Sequence, residues 1–597
     1  MDWPEDEILG KAYDATLVKR LLVYLRPYAA LVGLASALLL VFSFLDLVPS
    51  ELVKRAVDGP IRSYLDASID QAGFLAALTQ IAVIFGGVVL VGFLVRGAHM
   101  WAVEYLGQRV MVDIRREVFA KVQRLSLSFF DRNPVGRLVT RVVSDVEALH
   151  QALSMGIVSI FGDMVKIIAI VGVLLYINWG LALWMSALLP LMFAVSLLFR
   201  NKARQGYRNI RREVARVNAN VQESITGMRV IQIFSREQRA AERLEELSND
   251  LYRAHAGTVL HFAWFFPAVE LFFALAQGVL IYVGAHYVLD SGLKPGEFIQ
   301  FWMLISLIFE PIRNLSEQYN VMQSAMASSE RLFTILDREE LVANPARPLL
   351  LPADTTRGEI EFDHVWFAYR GEKWVLEDVS FVVAPGSSIA LVGATGAGKT
   401  SIISLISRLY DVQRGRILLD GRDIREYDKY DLRRRVSVVL QDVFLFAGDI
   451  MENIRLSQKE IPEERVIAAA RAVNADRFIE KLDGGYHAPV MERGATLSVG
   501  QKQLLAFARA LAFDPRVLIL DEATSSIDTE TEVMIQQALA RLMRGRTSLI
   551  IAHRLSTIRS CDRILVMHHG RIRESGTHRE LIRKGGIYRR LYELQAI

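Results

Sequence analysis

The hydrophobic and polar positions of this chain follow two different rhythms. In the first half, long apolar stretches alternate with arginine-rich ones. Gln71 to Val95 carries no charge, and about 20 apolar residues cross a bilayer as a helix. Ile167 to Phe199 is also uncharged and long enough for two spans. Asn178-Trp179-Gly180 supplies the turn between them, and the first of the two begins before Asp163. Ala29 to Val48, Phe262 to Leu289 and Phe298 to about Val321 complete an expectation of six spans. From Gly358 onward the pattern changes to short apolar strands alternating with helices. Strands are expected at Glu359 to Phe367, Ser388 to Val392, Val436 to Leu440, Val517 to Leu520 and Ser548 to Ala552, with a helix at Thr400 to Tyr410. That alternation predicts an α/β domain with a mostly parallel core sheet.

The segments between the spans differ sharply in charge. Arg96 to Arg141 includes Arg109, Arg115, Arg116, Arg132 and Arg137, and Arg200 to Arg253 is similarly basic. The turn at Asn178 has no charge, and Asp290 to Glu297 has a single lysine. The positive-inside rule therefore places both termini and both basic connections in the cytoplasm, and the expected location is the inner (plasma) membrane, as a multi-pass protein. The basic connections read as helical extensions ending in elbows. One elbow is expected at Phe129 to Gly136, where Pro134 and Gly136 break the helix, and the other near Arg211 to Asn218, ahead of Gly227. Asp337 to Thr356, with Pro345, Pro348 and Pro352, reads as a linker. The expected domains are a membrane domain at 1–337, a linker at 338–357 and a nucleotide-binding domain at 358–597.

Composition agrees with this division. A chain of 597 residues exceeds one core, and 52% hydrophobic residues with a mean hydropathy of +0.25 point to membrane spans. The net charge of +4 is small for this length and argues against nucleic acid as a partner. The single cysteine, Cys561, forms no internal disulfide and suits a reducing compartment. Met1 to Asp14 is acidic and has no apolar core, so targeting is expected from the first span rather than from a cleaved signal.

The candidate chemistry lies in the second half. Gly393-Ala394-Thr395-Gly396-Ala397-Gly398-Lys399-Thr400 has the form GxxxxGK[ST], and Ser401 continues into the expected helix. In such a loop, backbone N–H groups close around phosphates, the lysine reaches the β and γ phosphates and the threonine hydroxyl ligates Mg²⁺. The strand before it and the helix after it set a helix N-terminus against the phosphates. Val517 to Asp521 is a continuous apolar run, as a buried parallel strand should be. Asp521 at its end suits a Mg²⁺ partner, and Glu522 suits the base that polarises an attacking water.

A further motif, Leu497-Ser498-Val499-Gly500-Gln501, follows the phosphate loop and opens a helix. This ordered set, behind a hydrophobic half-chain, resembles an ABC (ATP-binding cassette) exporter, and the resemblance covers essentially the whole sequence. It implies a six-span α-helical membrane domain followed by an α/β P-loop cassette that hydrolyses ATP with Mg²⁺. Gln441 matches the family's Q-loop, which ligates Mg²⁺ and water, and His553 matches the switch histidine at the γ-phosphate. Tyr369, 24 residues before Gly393, falls where the family stacks an aromatic on adenine. Ser498, Gly500 and Gln501 belong to the signature motif, which contacts ATP held by the opposite subunit. Ser525-Ser526-Ile527-Asp528 fits the D-loop, and Glu492-Arg493-Gly494 fits the loop that touches the coupling elbows.

Because the signature serves the opposite site, the resemblance implies a dimer of half-transporters. All the hydrolytic groups of this chain match the pattern, while Val499 stands where the family usually has glycine. The pattern resembles bacterial heterodimeric multidrug exporters, and the expected partner is a different chain, with a homodimer as the alternative. Hydrophobic drugs, lipids and peptides all remain open as substrates. An ATP-gated channel or regulatory subunit of the same architecture is the alternative function, disfavoured by the intact Lys399, Asp521, Glu522 and His553. Asp46, Asp163, Lys166, Glu270 and Glu310 are charges within or near spans, where they face a bundle interior or a cavity. Asp163 and Lys166 share a helix face and are expected to neutralise each other.

Overall fold

The computed structural model describes residues 15–152, 158–186, 189–290, 293–339, 342–352, 356–521, 529–552 and 554–595. The chain separates into two compact units. One comprises residues 1–119 and 139–336; the other comprises 120–138 and 337–597.

Among its described residues, the elements of the first unit are helices joined by short turns. Each of the six expected apolar stretches lies in helix: Ala29–Leu45 with Val48–Ala56, Gln71–Arg124, Val158–Ile177, Trp179–Ser186 with Leu189–Thr226, Glu237–Asp290 and Pro295–Leu336. Among the described residues, four helical stretches are long and apolar enough to cross a membrane, and Pro295–Ile308 is a shorter apolar helix. Gln71–Arg124 has 54 residues, which is ~81 Å at 1.5 Å per residue. A hydrocarbon core of about 30 Å accounts for less than half of that length. None of its most apolar window is buried by the rest of the described chain, so lipid or a second chain must cover it.

The interior of this unit joins an apolar cluster around Ile170, Leu181, Leu280, Phe301 and Leu304 to paired polar groups. Lys166 Nζ donates to Asp46 Oδ2 at 2.8 Å, and Gln318 Nε2 donates to Asp163 Oδ2 at 3.0 Å. The two charges expected to serve each other are thus each bonded elsewhere in the unit, Lys166 to Asp46 and Asp163 to Gln318. Glu270 is exposed, and the Glu310 side chain lies outside the described residues.

The second basic connection differs from expectation. Arg211 to Asn218 lies within the unbroken helix Leu189–Thr226, since it holds no glycine or proline and Glu213 bonds Arg212 and Arg216 along the helix. The break falls at Gly227, followed by the one-turn helix Met228–Ile233 and by Ser235 at φ 49°. The first elbow breaks as expected, between Leu127–Phe130 and Val135–Thr140.

The second unit is built on strands β1 (Ile360–Phe367), β2 (Leu376–Val383), β3 (Ser388–Val392), β4 (Arg414–Leu419), β5 (Arg422–Asp423), β6 (Val436–Val439), β7 (Gly448–Asp449), β8 (Pro489–Val490), β9 (Val517–Asp521), β10 (Thr547–Ile551), β11 (Arg563–His568) and β12 (Arg571–Gly576). The core sheet runs β12-β11-β3-β10-β9-β6 and is parallel except for β12 at its edge. An antiparallel sheet, β2-β1-β4-β5, accompanies it. Strands β3, β9 and β10 are nearly wholly buried, which is why they read as continuous apolar runs rather than alternating ones.

The segment expected as a linker is held at its end by hydrogen bonds and by one strand-like bridge. Asp420 accepts from the backbone N–H groups of Arg357, Gly358 and Glu359 at 2.8, 2.9 and 2.8 Å. Leu349 pairs with Tyr427.

Candidate functional site

Parallel pairing sets the phosphate loop and the acidic strand end level with each other. Ile551 pairs with both Leu391 and Asp521, and Val439 pairs with Leu520. The carboxyl ends of β3, β10, β9 and β6 therefore share one rim, where ligands bind in open α/β sheets. Gly393 leaves β3 there, Asp521 ends β9, and Gln441 stands exposed just beyond β6. Glu522, His553 and the stretch Ser525 to Asp528 lie outside the described residues.

The phosphate loop turns on two glycines for different reasons. A Cβ at Gly393 would collide with the Met567 carbonyl oxygen on the neighbouring strand, and one at Gly398 would meet Leu376 Cδ2 at 2.6 Å. Gly398 also sits at φ 98°, where a side chain is strained. Thr395 and Gly396 face outward, Ala397 packs into the core, and Thr400 is exposed on the first turn of the helix Lys399–Ile406.

Lys399 is 7% exposed, and its Nζ donates to Gly393 O at 2.7 Å and Ala394 O at 3.0 Å. The ammonium thus spans its own loop. Burial pushes its pKa below the usual lysine value, and the Asp521 carboxylate partly opposes that shift. A polyanion arriving here meets a cation that is already desolvated and tied to exchangeable carbonyl partners.

Tyr369 follows the end of β1, and its hydroxyl lies 3.0 Å from Ser401 Oγ on the loop's helix. Ser401 is 4% exposed. The Tyr369 ring meets Phe367 and Tyr410 edge-on at centroid distances of 4.8 and 5.2 Å. Tyr410 in turn donates to the Asp131 carboxylate of the first elbow, and Arg132 Nη2 reaches Tyr369 O at 3.4 Å. Burial, then the bond to Asp131, raises the Tyr410 pKa.

The Ser498 motif caps the helix Val499–Phe513. Gln501 N donates to Ser498 Oγ at 3.2 Å and Ser498 N donates to Gln501 Oε1 at 2.9 Å, a closed capping box. Gly500 is buried and Val499 is 58% exposed. Arg493 adopts a left-handed conformation (φ 56°), and its carbonyl accepts from Lys502 Nζ at 2.9 Å.

Three residues of this region were not singled out from the sequence: Arg408, Tyr410 and Arg509. Arg509 donates to Asn453 O at 2.9 Å and to Phe444 O at 3.3 Å, tying the Ser498-capped helix to the loop after Gln441. A lone arginine in an apolar helix was the available signal. Arg408 and Tyr410 lie at the end of an expected helix and carry no motif.

Residues 29–312 match the ABC transporter transmembrane region, and residues 376–525 match the ABC transporter family of ATP-binding domains. The chain is 38% identical over 594 residues to the uncharacterized ABC transporter ATP-binding protein YknV of Bacillus subtilis, covering 99% of this chain and 97% of that protein. It is 39% identical over 481 residues to a fatty acid ABC transporter ATP-binding/permease protein of Mycobacterium bovis, covering 81% and 76% of the two chains. A bacterial Atm1-family ABC exporter solved with ATP bound superposes with a TM-score of 0.77 at 27% identity, covering 94% of this chain and 98% of that one.

The chain belongs to the ABC transporter family. Within it, the fusion of one membrane region to one cassette makes this an exporter-type half-transporter, a multi-pass membrane protein that binds ATP and couples its hydrolysis to transport.

Proposed function

We propose that this chain is one half of a dimeric exporter that moves lipid-like or other amphipathic substrates out of the cell by alternating access. The reading takes residues 1–337 as the membrane domain, with both termini at the cytoplasmic face of the inner membrane, and 358–597 as the cassette. One observation carries it: the ends of β3, β6 and β9 share a rim with a self-satisfied phosphate loop, while the most apolar window of Gln71–Arg124 is not buried by the rest of the described chain. Similarity to a fatty acid transporter favours amphiphiles among drugs, lipids and peptides.

In this reading Lys399 exchanges its two carbonyl partners for the β and γ phosphates. The loop N–H groups of Gly393 to Thr400 hold the phosphate oxygens, Ser401 exchanges Tyr369 for phosphate, and the freed Tyr369 ring stacks on adenine. Thr400, Gln441 and Asp521 are oxygen donors on one rim, a set that fits a hard cation such as Mg²⁺. The ion would neutralise phosphate charge as it develops. Glu522 accepts the proton of the attacking water, and His553 orients that water at the γ-phosphate. Ser498, Gly500 and Gln501 present the capped helix end to ATP on the partner chain.

Val499 supports a partner that is a different chain, since an exposed isopropyl group stands where the family usually has glycine, in the motif that serves the opposite site. Expression of this chain alone in the Glu522→Gln form, followed by counting of occluded nucleotide, tests this. A stable homodimer with two equivalent sites would falsify it. The substrate is tested by stimulation of ATP hydrolysis in the reconstituted transporter across fatty acids and phospholipids, hydrophobic cations and peptides. Stimulation by peptides alone would overturn the amphiphile reading.

A further inference from the structure

The helix that carries Lys399 and Ser401 ends in a Schellman turn. Arg408 N donates to Leu405 O and Leu409 N to Ser404 O, both at 2.9 Å. The residue in the left-handed position of such a turn is usually glycine. Here it is Arg408, at φ 48° and only 3% exposed. A bulky side chain in this position carries a backbone cost that its own contacts must offset.

The Arg408 guanidinium forks. Nη2 donates to Ala343 O at 2.9 Å, Nη1 to Tyr427 O at 3.1 Å, and Nε to Asp411 Oδ1 at 3.2 Å. Ala343 belongs to the segment that follows the last membrane helix. Its neighbours are held in the same way: Lys429 Nζ donates to Val342 O at 3.1 Å, and Lys429 N donates to Asn344 Oδ1 at 2.9 Å. Asn344 Nδ2 also donates to Asp428 Oδ2 at 2.6 Å. Ala343 is therefore strapped to the turn that ends the phosphate-loop helix, and Val342 and Asn344 to Asp428 and Lys429 beside it. Two positions on, Tyr410 holds Asp131 of the first elbow and abuts Tyr369.

We propose that the turn Ser407–Asp411 is a two-input junction, in which Arg408 ties the strap from the last membrane helix, and Tyr410 the elbow, to the nucleotide site. The inference rests on the export reading above and adds Arg408 as a positioning residue that touches neither nucleotide nor substrate. A pull on residue 343 is delivered directly through the buried Arg408 side chain to the end of the helix whose beginning holds phosphate, and indirectly through the helix Lys429–Arg435, whose Arg433 donates to Ser407 O and Arg408 O at 3.1 and 2.8 Å. Without the fork, the strap keeps only its indirect tie to the helix end, through Lys429, Asp428 and Arg433, and ATP closure reaches the membrane domain mainly by the elbow.

The test uses the full-length transporter in nanodiscs, with spin labels at Asp66→Cys and Trp179→Cys, two turns on the expected outer side, and buried Cys561 left in place. The ATP-driven change in label distance is read together with basal ATP hydrolysis and Tm. Arg408→Gly suits the backbone but leaves Ala343 O, Tyr427 O and Asp411 without their donor, so Tm is expected to fall by a few degrees, while nucleotide binding and basal hydrolysis stay near their unsubstituted values and most of the distance change is lost. Asn344→Ala, which removes the strap's ties to Asp428 and Lys429 N and keeps the fork, is expected to give a smaller loss than Arg408→Gly. A full distance change in Arg408→Gly overturns the junction and leaves the export reading standing. A parallel fall of Tm, hydrolysis and distance change in both single variants overturns it as well, because the strap is then only structural. An unsubstituted transporter that neither hydrolyses ATP nor shifts its labels overturns the export reading and the junction together.

Discussion

Replacing Lys399 with alanine is the most direct perturbation of the nucleotide site, and its size follows from the contacts already present. The ammonium donates to two carbonyls of its own loop and, in the bound state, would donate instead to phosphate oxygens. Hydrogen bonds to charged groups contribute about 1.5–3 kcal/mol each. Because binding exchanges two bonds for two stronger ones, the net loss is set near one such bond rather than two. At roughly 1.4 kcal/mol per tenfold, ~2–3 kcal/mol weakens ATP binding about 30- to 150-fold. The folded state should hardly change, since water entering the open loop replaces the lost donor at Gly393 O and Ala394 O. The assay is titration with a fluorescent ATP analogue at fixed Mg²⁺, with Tm measured on the same sample. ATP affinity and hydrolysis both unchanged at an unaltered Tm would refute the reasoning and, with it, the phosphate-loop assignment.

Other outcomes are equally specific. Glu522→Gln is expected to keep nucleotide affinity and lower hydrolysis by ~100-fold or more, because an amide cannot take the proton of the attacking water; turnover near the unsubstituted rate in a phosphate-release assay would remove Glu522 from that role. Asp420→Ala leaves the N–H groups of residues 357–359 without their carboxylate, on the order of 3 kcal/mol, and should lower the cassette's melting temperature by ~6–12 °C in a calorimetric scan. His578 donates to or accepts from Tyr588 OH at 2.8 Å, and burial, then Arg559 and Arg579, holds its pKa below the ordinary histidine value. Protonation is thus favoured in the unfolded chain, so this contribution to stability is complete above about pH 6.5 and is lost as pH falls toward the lowered folded value. Tm should drop on acidification, and His578→Gln should flatten that drop; an identical pH profile in the variant counts against it.

Much of this molecule could be read from residue order. The phosphate loop was legible because its glycines are required by local geometry, a Cβ clash at Gly393 and φ 98° at Gly398. Strands β3, β9 and β10 were legible because a buried parallel strand is apolar on both faces. The first elbow announced itself through Pro134 and Gly136. The second did not, because Arg211 to Asn218 is chemically a good helix and the break waits for Gly227. Arg408 and Tyr410 gave no sign, since their partners, Ala343 and Asp131, lie 65 and 279 positions away.

The sequence by itself determined the two halves of the chain, the apolar helices, the phosphate-binding loop and the family. Each rests on local steric rules or on the transfer of apolar runs out of water, and both act within a short window of residues. Only the tertiary structure decided that the proline-spaced segment after the last membrane helix is a strap rather than a free tether. The same holds for Lys399, which spans its own loop, and for Tyr369, which is engaged with Ser401. These are satisfactions of buried polar groups, and which distant carbonyl or hydroxyl meets a buried donor is fixed only when the sheet brings the strand ends together.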